Sequence, residues 1–134
     1  MEVRLDPRDE KRLPIVTRWL DLTTWLMETT AGMPRKWRPS LVGRIEREAV
    51  EILGVLTDAA YQRRKARLLT QANLGVNRLR ILLELACRLQ ALSAGGYEHV
   101  TLALDEIGRM LGGWMKEAAG RERTSAECGV RSAE

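Results

Sequence analysis

The residues of this sequence that could do specific chemistry are basic, and they lie in two short clusters. RKWR occupies residues 35–38 and RRKAR occupies residues 63–67. Closely spaced cations suit the phosphates of a nucleic-acid backbone, although such clusters are also common on solvated surfaces. Trp37 in the first cluster could stack on a base or cover the end of a hydrophobic core. The clusters therefore raise nucleic-acid binding as a hypothesis without deciding it.

The distribution of charge along the chain supports this hypothesis. Residues 63–88 contain seven Arg or Lys and a single acid, Glu84, whereas residues 93–134 contain seven acids and five bases. The whole chain has a formal net charge of +4 and a pI near 9.5, which permits an acidic partner without requiring one. The positive charge is thus concentrated in one part of the chain.

Groups that could catalyse a reaction are few. His99 is the only histidine, and it has no Cys or acid at metal-ligand spacing. The glycine pairs in AGGY and LGGW lack the Lys and the Ser or Thr of a phosphate-binding loop. Neighbouring carboxylates such as Asp105 and Glu106 are interpreted as residues of a helix surface. The sequence therefore predicts a protein that binds partners, without enzyme activity, cofactor or metal.

Length and composition favour one all-α domain. The chain has 134 residues, of which 45% are hydrophobic and 4% aromatic, and it contains no Phe. A core built from Leu, Ile, Val, Ala and Met suits helices better than strands. No apolar run reaches the roughly 18 residues that a membrane span needs, and the N-terminal residues are too charged for a secretion signal. We therefore expect a soluble cytoplasmic protein that has no membrane partner.

Apolar residues repeat at helical spacing in four stretches. They predict helices over residues 13–30, 40–61, 65–92 and 93–119. Pro14 suits a first helical turn, and Pro39 in the first connection prevents a helix from running through it. Short connections between amphipathic helices indicate an antiparallel up-down four-helix bundle over residues 12–119. Residues 1–11 and 120–134 are polar and charged, and we expect a flexible arm and a disordered tail there.

The third predicted helix carries two apolar stripes. Its core seam consists of Leu69, Ala72, Val76, Leu79, Leu83 and Ala86. A second stripe, which we expect about a third of a turn away, includes Leu74, Ile81 and Leu85. A simple monomeric bundle cannot bury both stripes, so we interpret the second as an interface with another subunit. The alternative is that the first and last helices cover both stripes.

The up-down order predicts where the basic residues lie. It places the two clusters at opposite ends of a subunit, with Arg78 and Arg88 along the side between them. Such a track suits a polyphosphate backbone, which contacts many well-spaced cations. The candidate nucleic-acid-binding residues are Arg63, Arg64, Lys65, Arg67, Arg78, Arg88, Arg35, Lys36 and Arg38.

Three segments of the chain resemble a known family. WLDLTTWLMETTAGMPRKWR, LVGRIEREAVEIL and YEHVTLALDEIGRMLGGWMK are similar to the accessory variability determinant proteins of diversity-generating retroelements. These proteins belong to a wider bacterial four-helix-bundle family, which includes proteins encoded by intervening sequences of 23S ribosomal RNA genes. The resemblance covers residues 12–116. Its most specific parts are the Met33-Pro34 connection leading into Arg44-Ile45-Glu46, and the segment 105–114.

The resemblance implies both an assembly and a function. Members of the retroelement branch form basic homopentameric barrels that associate with the reverse transcriptase of the retroelement and with its template RNA. The complex makes adenine-mutagenised cDNA, and the polymerase chemistry belongs to the partner. We therefore expect a non-catalytic accessory subunit that binds the reverse transcriptase, template RNA or cDNA, and further copies of itself. The alternative is a homo-oligomeric adaptor of the ribosomal intervening-sequence type, which binds protein and has no nucleic-acid role.

Overall fold

The computed structural model describes the backbone of residues 13–132 and the side chains of residues 14–124. The four helices are α1 at Leu13–Thr30, α2 at Gly43–Tyr61, α3 at Ala66–Arg88 and α4 at Ala94–Ser132. Over the described residues the fold is all-α, and the helices pack antiparallel, as the sequence predicts. The expected flexible arm at residues 1–11 lies outside the described residues, as do residues 133–134.

The helices form a closed ring around one core. Each helix packs beside its neighbour in the chain, and α4 packs against α1. Every residue of the predicted α3 seam is buried in this core. Trp19 of α1 is fully buried, and its indole Nε1 donates a hydrogen bond of 2.9 Å to the carbonyl oxygen of Ala49. This bond satisfies the polar group of the indole inside an otherwise aliphatic core.

The connection between α1 and α2 is held by one carboxylate. It contains a 3₁₀ turn at Arg35–Trp37 and a π-helical turn at Arg38–Val42 that continues into α2. Thr30 Oγ1 donates a hydrogen bond of 2.9 Å to Glu46 Oε2, and the Arg38 guanidinium lies 3.4 Å from Glu46 Oε1. Pro39 lies in the first turn of the π-helical segment, where its missing N–H costs no helical bond. Glu46 therefore ties the connection to both flanking helices.

The fourth helix is longer than the sequence predicts. The expected disordered tail begins at residue 120, whereas α4 continues through this region to Ser132. An i,i+4 ion pair supports the continuation, with 2.6 Å between Arg121 Nη2 and Glu117 Oε1. At about 1.5 Å per residue α4 is roughly 58 Å long and α3 roughly 35 Å, so α4 projects beyond the body of the bundle. Neither α4 nor any other helix in the described residues is apolar enough to cross a membrane.

Candidate partner and nucleic-acid surfaces

The second apolar stripe of α3 faces solvent. We define the outer face of α3 as Arg67, Leu74, Arg78, Ile81, Leu85 and Arg88. Leu74 is 52% exposed, Ile81 is 66% exposed and Leu85 is 44% exposed. At about 100° per residue these side chains lie nearly half a turn from the core seam, and not a third of a turn as we expected. Neither α1 nor α4 covers them, so the idea that the bundle buries both stripes is wrong.

Arg78, in the middle of the outer face, is held by a carboxylate from α2. Its Nε and Nη2 lie 3.1 Å and 3.0 Å from Glu48 Oε1. The Glu48 side chain is 11% exposed and the Arg78 side chain 53% exposed. The two helices approach closely because Gly75 has no side chain: an added Cβ would lie 2.8 Å from Ile52 Cγ1 and 3.1 Å from Glu48 Oε1. The pair therefore fixes the direction of Arg78 and leaves about half of it accessible.

The other basic candidates lie at the two ends of the bundle. The α1–α2 connection carries Arg35, Lys36 and Arg38, and Arg88 ends α3 at the same end. The α2–α3 connection, at the opposite end, contains Arg63 and Arg64, and Arg67 follows in the first turn of α3. All of these side chains are exposed. The structure thus places the predicted residues at two ends and along one side, and it does not bring them into one compact site.

Lys65 is the exception, because its side chain is buried. The residue is 6% exposed, and its Nζ lies 5.4 Å from the centroid of the Trp114 ring. The negative face of an indole attracts an ammonium group, so this contact stabilises Lys65 in its buried position. Burial makes Lys65 a poorer phosphate ligand than its exposed neighbours Arg63, Arg64 and Arg67. Lys65 therefore fastens the α2–α3 connection to α4, and we leave it out of the proposed nucleic-acid contacts.

Trp37 packs against the end of the core. Its side chain is half-buried, and Lys36 Nζ lies 5.2 Å from the centroid of its ring. This packing supports the second of its two interpretations, in which the ring covers the core. The neighbouring cations of the RKWR cluster remain exposed beside it.

Sequence reasoning missed cations that α4 brings to the α2–α3 end of the bundle. Three basic residues there are exposed: Lys116, Arg121 and Arg123. Glu122 Oε1 accepts a hydrogen bond of 3.1 Å from the backbone N–H of Ala66, which places this part of α4 beside the start of α3. Arg121 and Arg123 lie in the tail that was expected to lack structure, so they had no predicted position, and Lys116 in the predicted helix was not singled out. A signal was present in KEAAGRER, where an acid and an arginine stand four residues apart, as in many stable helices.

His99 lies in a shallow groove between α1 and α4. Its ring stacks on Trp25, with centroids 4.7 Å apart and planes inclined by 36°. The groove has a volume of about 160 Å³, and in its wall Arg18 lies 2.9 Å from Glu106. Across residues 14–124, no group of His, Cys, Asp or Glu is arranged to hold a metal ion. The groups in this groove contact one another, and we assign them to packing between the two helices.

Comparison with known proteins decides the family. The family model described as bAvd-like matches residues 13–118, which include α1, α2, α3 and the part of α4 that packs in the core. The chain belongs to the bAvd-like family. No curated protein matches the chain.

Membership of the bAvd-like family gives these surfaces a context. The family is that of the bacterial accessory variability determinant, a non-catalytic accessory protein of diversity-generating retroelements. The family resemblance found in the sequence is therefore confirmed. The range matched by the bAvd-like model includes the outer face of α3 and both basic connections, and it ends before Glu122 and Arg123.

Proposed function

We propose that this protein is a non-catalytic accessory subunit of a diversity-generating retroelement. It binds the reverse transcriptase of the same retroelement together with template RNA or cDNA, and so supports mutagenic reverse transcription. Membership of the bAvd-like family supports the accessory role. The observation that carries the proposal is the outer face of α3, where exposed apolar side chains lie among arginines. A single subunit does not bury the apolar side chains of this surface, so we assign them to partners.

Self-association is the first use that we propose for the outer face. Leu74, Ile81 and Leu85 are each at least 44% exposed, on a helix whose opposite side is fully buried. Removing apolar surface from water stabilises an association by roughly 25 cal/mol per Å². When such a face meets a different face of the next copy, the copies close into a ring if the rotation between them allows it. We therefore place these three residues in the interface of a homopentamer, whose subunit number comes from the resemblance.

Contact with template RNA or cDNA is the use that we propose for the exposed cations. Arg63, Arg64 and Arg67 contact phosphates at one end, and Arg35, Lys36 and Arg38 contact them at the other. Arg78 and Arg88 contact further phosphates along the side of α3 between these two ends, and together the eight residues form a basic track. From Arg67 to Arg88 the helix rises by roughly 31 Å, which is long enough to follow several phosphates of one strand. Repetition of the track in every copy of a homo-oligomer multiplies these contacts.

The alternative function is a homo-oligomeric adaptor that binds only protein. Two ion pairs favour it, because Arg78 is paired with Glu48 and Arg38 with Glu46, so two candidate phosphate ligands already have carboxylate partners. Arginine beside exposed apolar residues is also typical of protein interfaces. Genome context separates the two functions. A neighbouring reverse transcriptase gene with a template repeat supports the retroelement, and an open reading frame inside a ribosomal RNA gene supports the adaptor.

The proposed self-association is tested by measuring the molar mass with light scattering. The variant L74S/I81S/L85S should have the mass of a monomer, because its outer face no longer gains by leaving water. The matched control is L20S/V50S, which changes side chains that are 51% and 49% exposed on α1 and α2. The control should keep the mass of the wild-type assembly. A triple variant that also keeps this mass would show that the outer face is not the interface.

The proposed RNA contact is tested with labelled template RNA across a salt series. On a single strand, the logarithm of the binding constant should fall by about 0.7 per phosphate contact for each unit in the logarithm of salt concentration. The variant R63Q/R64Q/R67Q should bind more weakly and with a smaller slope, whereas R44Q/R47Q/R109Q removes the same charge elsewhere and should behave as wild type. A different result would favour the protein-only adaptor. In that case the protein would capture the reverse transcriptase even after RNase treatment, and it would not bind RNA at low salt.

A further inference from the structure

The groove between α1 and α4 leaves apolar side chains in contact with water. Of the four neighbouring pairs of helices, α1 and α4 pack least extensively. Leu22 and Ile107 line the groove, and the stacked rings of Trp25 and His99 lie along it. Leu102 follows His99 by three residues, so it lies on the same side of α4, and it is 63% exposed. A partner that covered this surface would therefore remove apolar area from water.

The α1–α4 groove and the outer face of α3 differ in charge. Among the described residues that line the groove, Asp21 and Glu106 are acidic and Arg18 is basic. The outer face of α3 contains three arginines. Interfaces between proteins bring patches of opposite charge together and keep like charges apart. The groove is therefore a better partner for the outer face than a second outer face, because two outer faces would bring arginines together.

The two surfaces lie at the same height along the bundle. Arg80, next to Ile81 in α3, lies 2.9 Å from Asp105 of α4, and Ile81 and Thr101 line one shallow cavity. Ile81 is thus level with residues 101–105 of α4, and the groove extends along residues 99–107. Copies that stand side by side with parallel axes close into a ring only when the contacting faces are level. A difference in height would add a translation at every contact and give an open helix.

One copy can use both surfaces at the same time. α3 packs between α2 and α4, whereas the groove lies between α4 and α1, so the outer face and the groove do not overlap. Ile81 is the most exposed apolar residue of the outer face, at 66%. The groove has a volume of about 160 Å³, which is room for one branched aliphatic side chain. Each copy therefore offers a projecting side chain on one side and a groove on another.

We propose that the α1–α4 groove of one copy receives the outer face of α3 of the next copy. Ile81 enters the groove beside Trp25 and His99, and Arg78 and Arg88 face the carboxylates at its rim. The proposal rests on the self-association proposed above, and it names the surface that the outer face meets. A guanidinium has five N–H donors, so an arginine at the rim can contact a carboxylate and a phosphate together.

Two substitutions in the groove test the proposal by light scattering on the full-length protein. A103R fills the groove and adds a positive charge, so it should have the mass of a monomer. D21R changes an exposed side chain and leaves the core intact, and it should raise the dissociation constant of the assembly roughly 10-fold or more. The control T57R introduces the same residue at an exposed position of α2 outside both surfaces, and it should keep the wild-type mass.

Mixing two defective variants tests whether the two surfaces meet each other. L74S/I81S/L85S keeps an intact groove, and A103R keeps an intact outer face. Each should be monomeric alone, and an equimolar mixture should contain a species of twice the subunit mass of 15.2 kDa. The mixture is measured at about 100-fold the concentration at which wild type assembles, because ring closure no longer adds a second contact to each copy. A mixture that stays monomeric there would overturn the pairing.

The results distinguish this inference from the self-association on which it rests. If wild type is monomeric, or if L74S/I81S/L85S keeps the wild-type mass, the outer face is not an interface between copies and this inference falls with it. If the triple variant is monomeric but A103R or D21R assembles as tightly as T57R, the outer face still mediates self-association. It then meets another surface, and only the role of the α1–α4 groove is overturned.

Discussion

The two faces of α3 use the same residue types in opposite environments. On the inner face, Leu79 and Leu83 are 0% and 1% exposed, whereas Leu74 and Ile81 on the outer face are 52% and 66% exposed. The inner side chains leave water when the chain folds, and the outer ones can do so only when a partner binds. Hydrophobic residues on one helix can therefore serve two processes, folding on one side and association on the other.

The neighbours of the apolar residues also differ between the two faces. On the inner side, small residues such as Ala72 and Gly75 let α2 and α3 approach closely, and no charged residue interrupts the seam. On the outer side Leu74, Ile81 and Leu85 lie among arginines, whose charge keeps the free subunit in solution and can meet an acidic partner. A comparison of matched substitutions on the two faces is the most direct way to separate their roles.

The largest difference is expected between Leu79→Ala and Ile81→Ala. Leu79→Ala should lower the free energy of unfolding by about 3 kcal/mol, because it leaves a cavity in the core. Ile81→Ala should change the stability of a single subunit by less than about 0.5 kcal/mol, since its side chain is already in water. Urea denaturation measures both. Only the effect of Ile81→Ala should depend on protein concentration, because stability gained from association does.

Ile81→Ala would contradict this expectation if it lowered the free energy of unfolding as much as Leu79→Ala does, at every protein concentration. That result would show that both faces are buried in one subunit. The distinction between folding and association along α3 would then be wrong.

Spacing predicted both faces of α3, and the reason is local. A period of 3.6 residues assigns each side chain to a side of the helix, so the seam and the exposed stripe can be found without other helices. The contacts between helices could not be predicted in this way. Glu48 with Arg78, Lys65 with Trp114 and Ala66 with Glu122 each join residues far apart in sequence, and the burial of Lys65 follows from packing alone. The continuation of α4 past residue 119 was missed because its composition is typical of tails.

The second expected difference concerns close packing on the inner face. Gly75→Ala should lower stability by about 1.5 kcal/mol, because the new Cβ would lie 2.8 Å from Ile52 Cγ1 and the cost of overpacking exceeds the gain in helix propensity. Gly54→Ala on α2 is the control, since nothing lies within 4 Å of an added Cβ there. It should raise stability by about 0.5–1 kcal/mol. The midpoint of thermal unfolding should therefore fall in Gly75→Ala and rise in Gly54→Ala. A rise in Gly75→Ala would contradict the close approach of α2 and α3.

The third expected difference lies within the outer face, between its arginines. Arg78→Gln should cost about 1 kcal/mol, because it removes the partner of a Glu48 side chain that is only 11% exposed. Arg88 lies 3.7 Å from Glu84 and its side chain is 76% exposed, so Arg88→Gln should cost less than about 0.5 kcal/mol. Denaturation at low and high salt tests whether the Arg78–Glu48 pair is stronger than the exposed Arg88–Glu84 pair. If both variants lose the same stability and salt abolishes both losses, the Glu48 pair is no stronger than a surface pair.

The smallest expected effect comes from the end of α3, where both faces stop. Gln90 has φ of 62°, a left-handed conformation that side chains with a Cβ rarely adopt. Its N–H donates to the Cys87 carbonyl at 3.0 Å, and the Ala91 N–H donates to the Ala86 carbonyl at 2.9 Å. These two bonds form the Schellman motif, in which glycine is preferred at the position of Gln90.

Gln90→Gly should therefore stabilise the protein by about 0.7 kcal/mol, since relief of the left-handed strain exceeds the extra entropy that glycine gives the unfolded chain. The same substitution at exposed Gln71, inside α3, should destabilise it by about 1 kcal/mol. Neither variant alters the seam or the outer face. A small effect of Ile81→Ala on stability can therefore also be measured in the stabilised Gln90→Gly variant. Thermal unfolding decides the sign, and a destabilising Gln90→Gly would mean that Gln90 makes contacts worth more than its backbone strain.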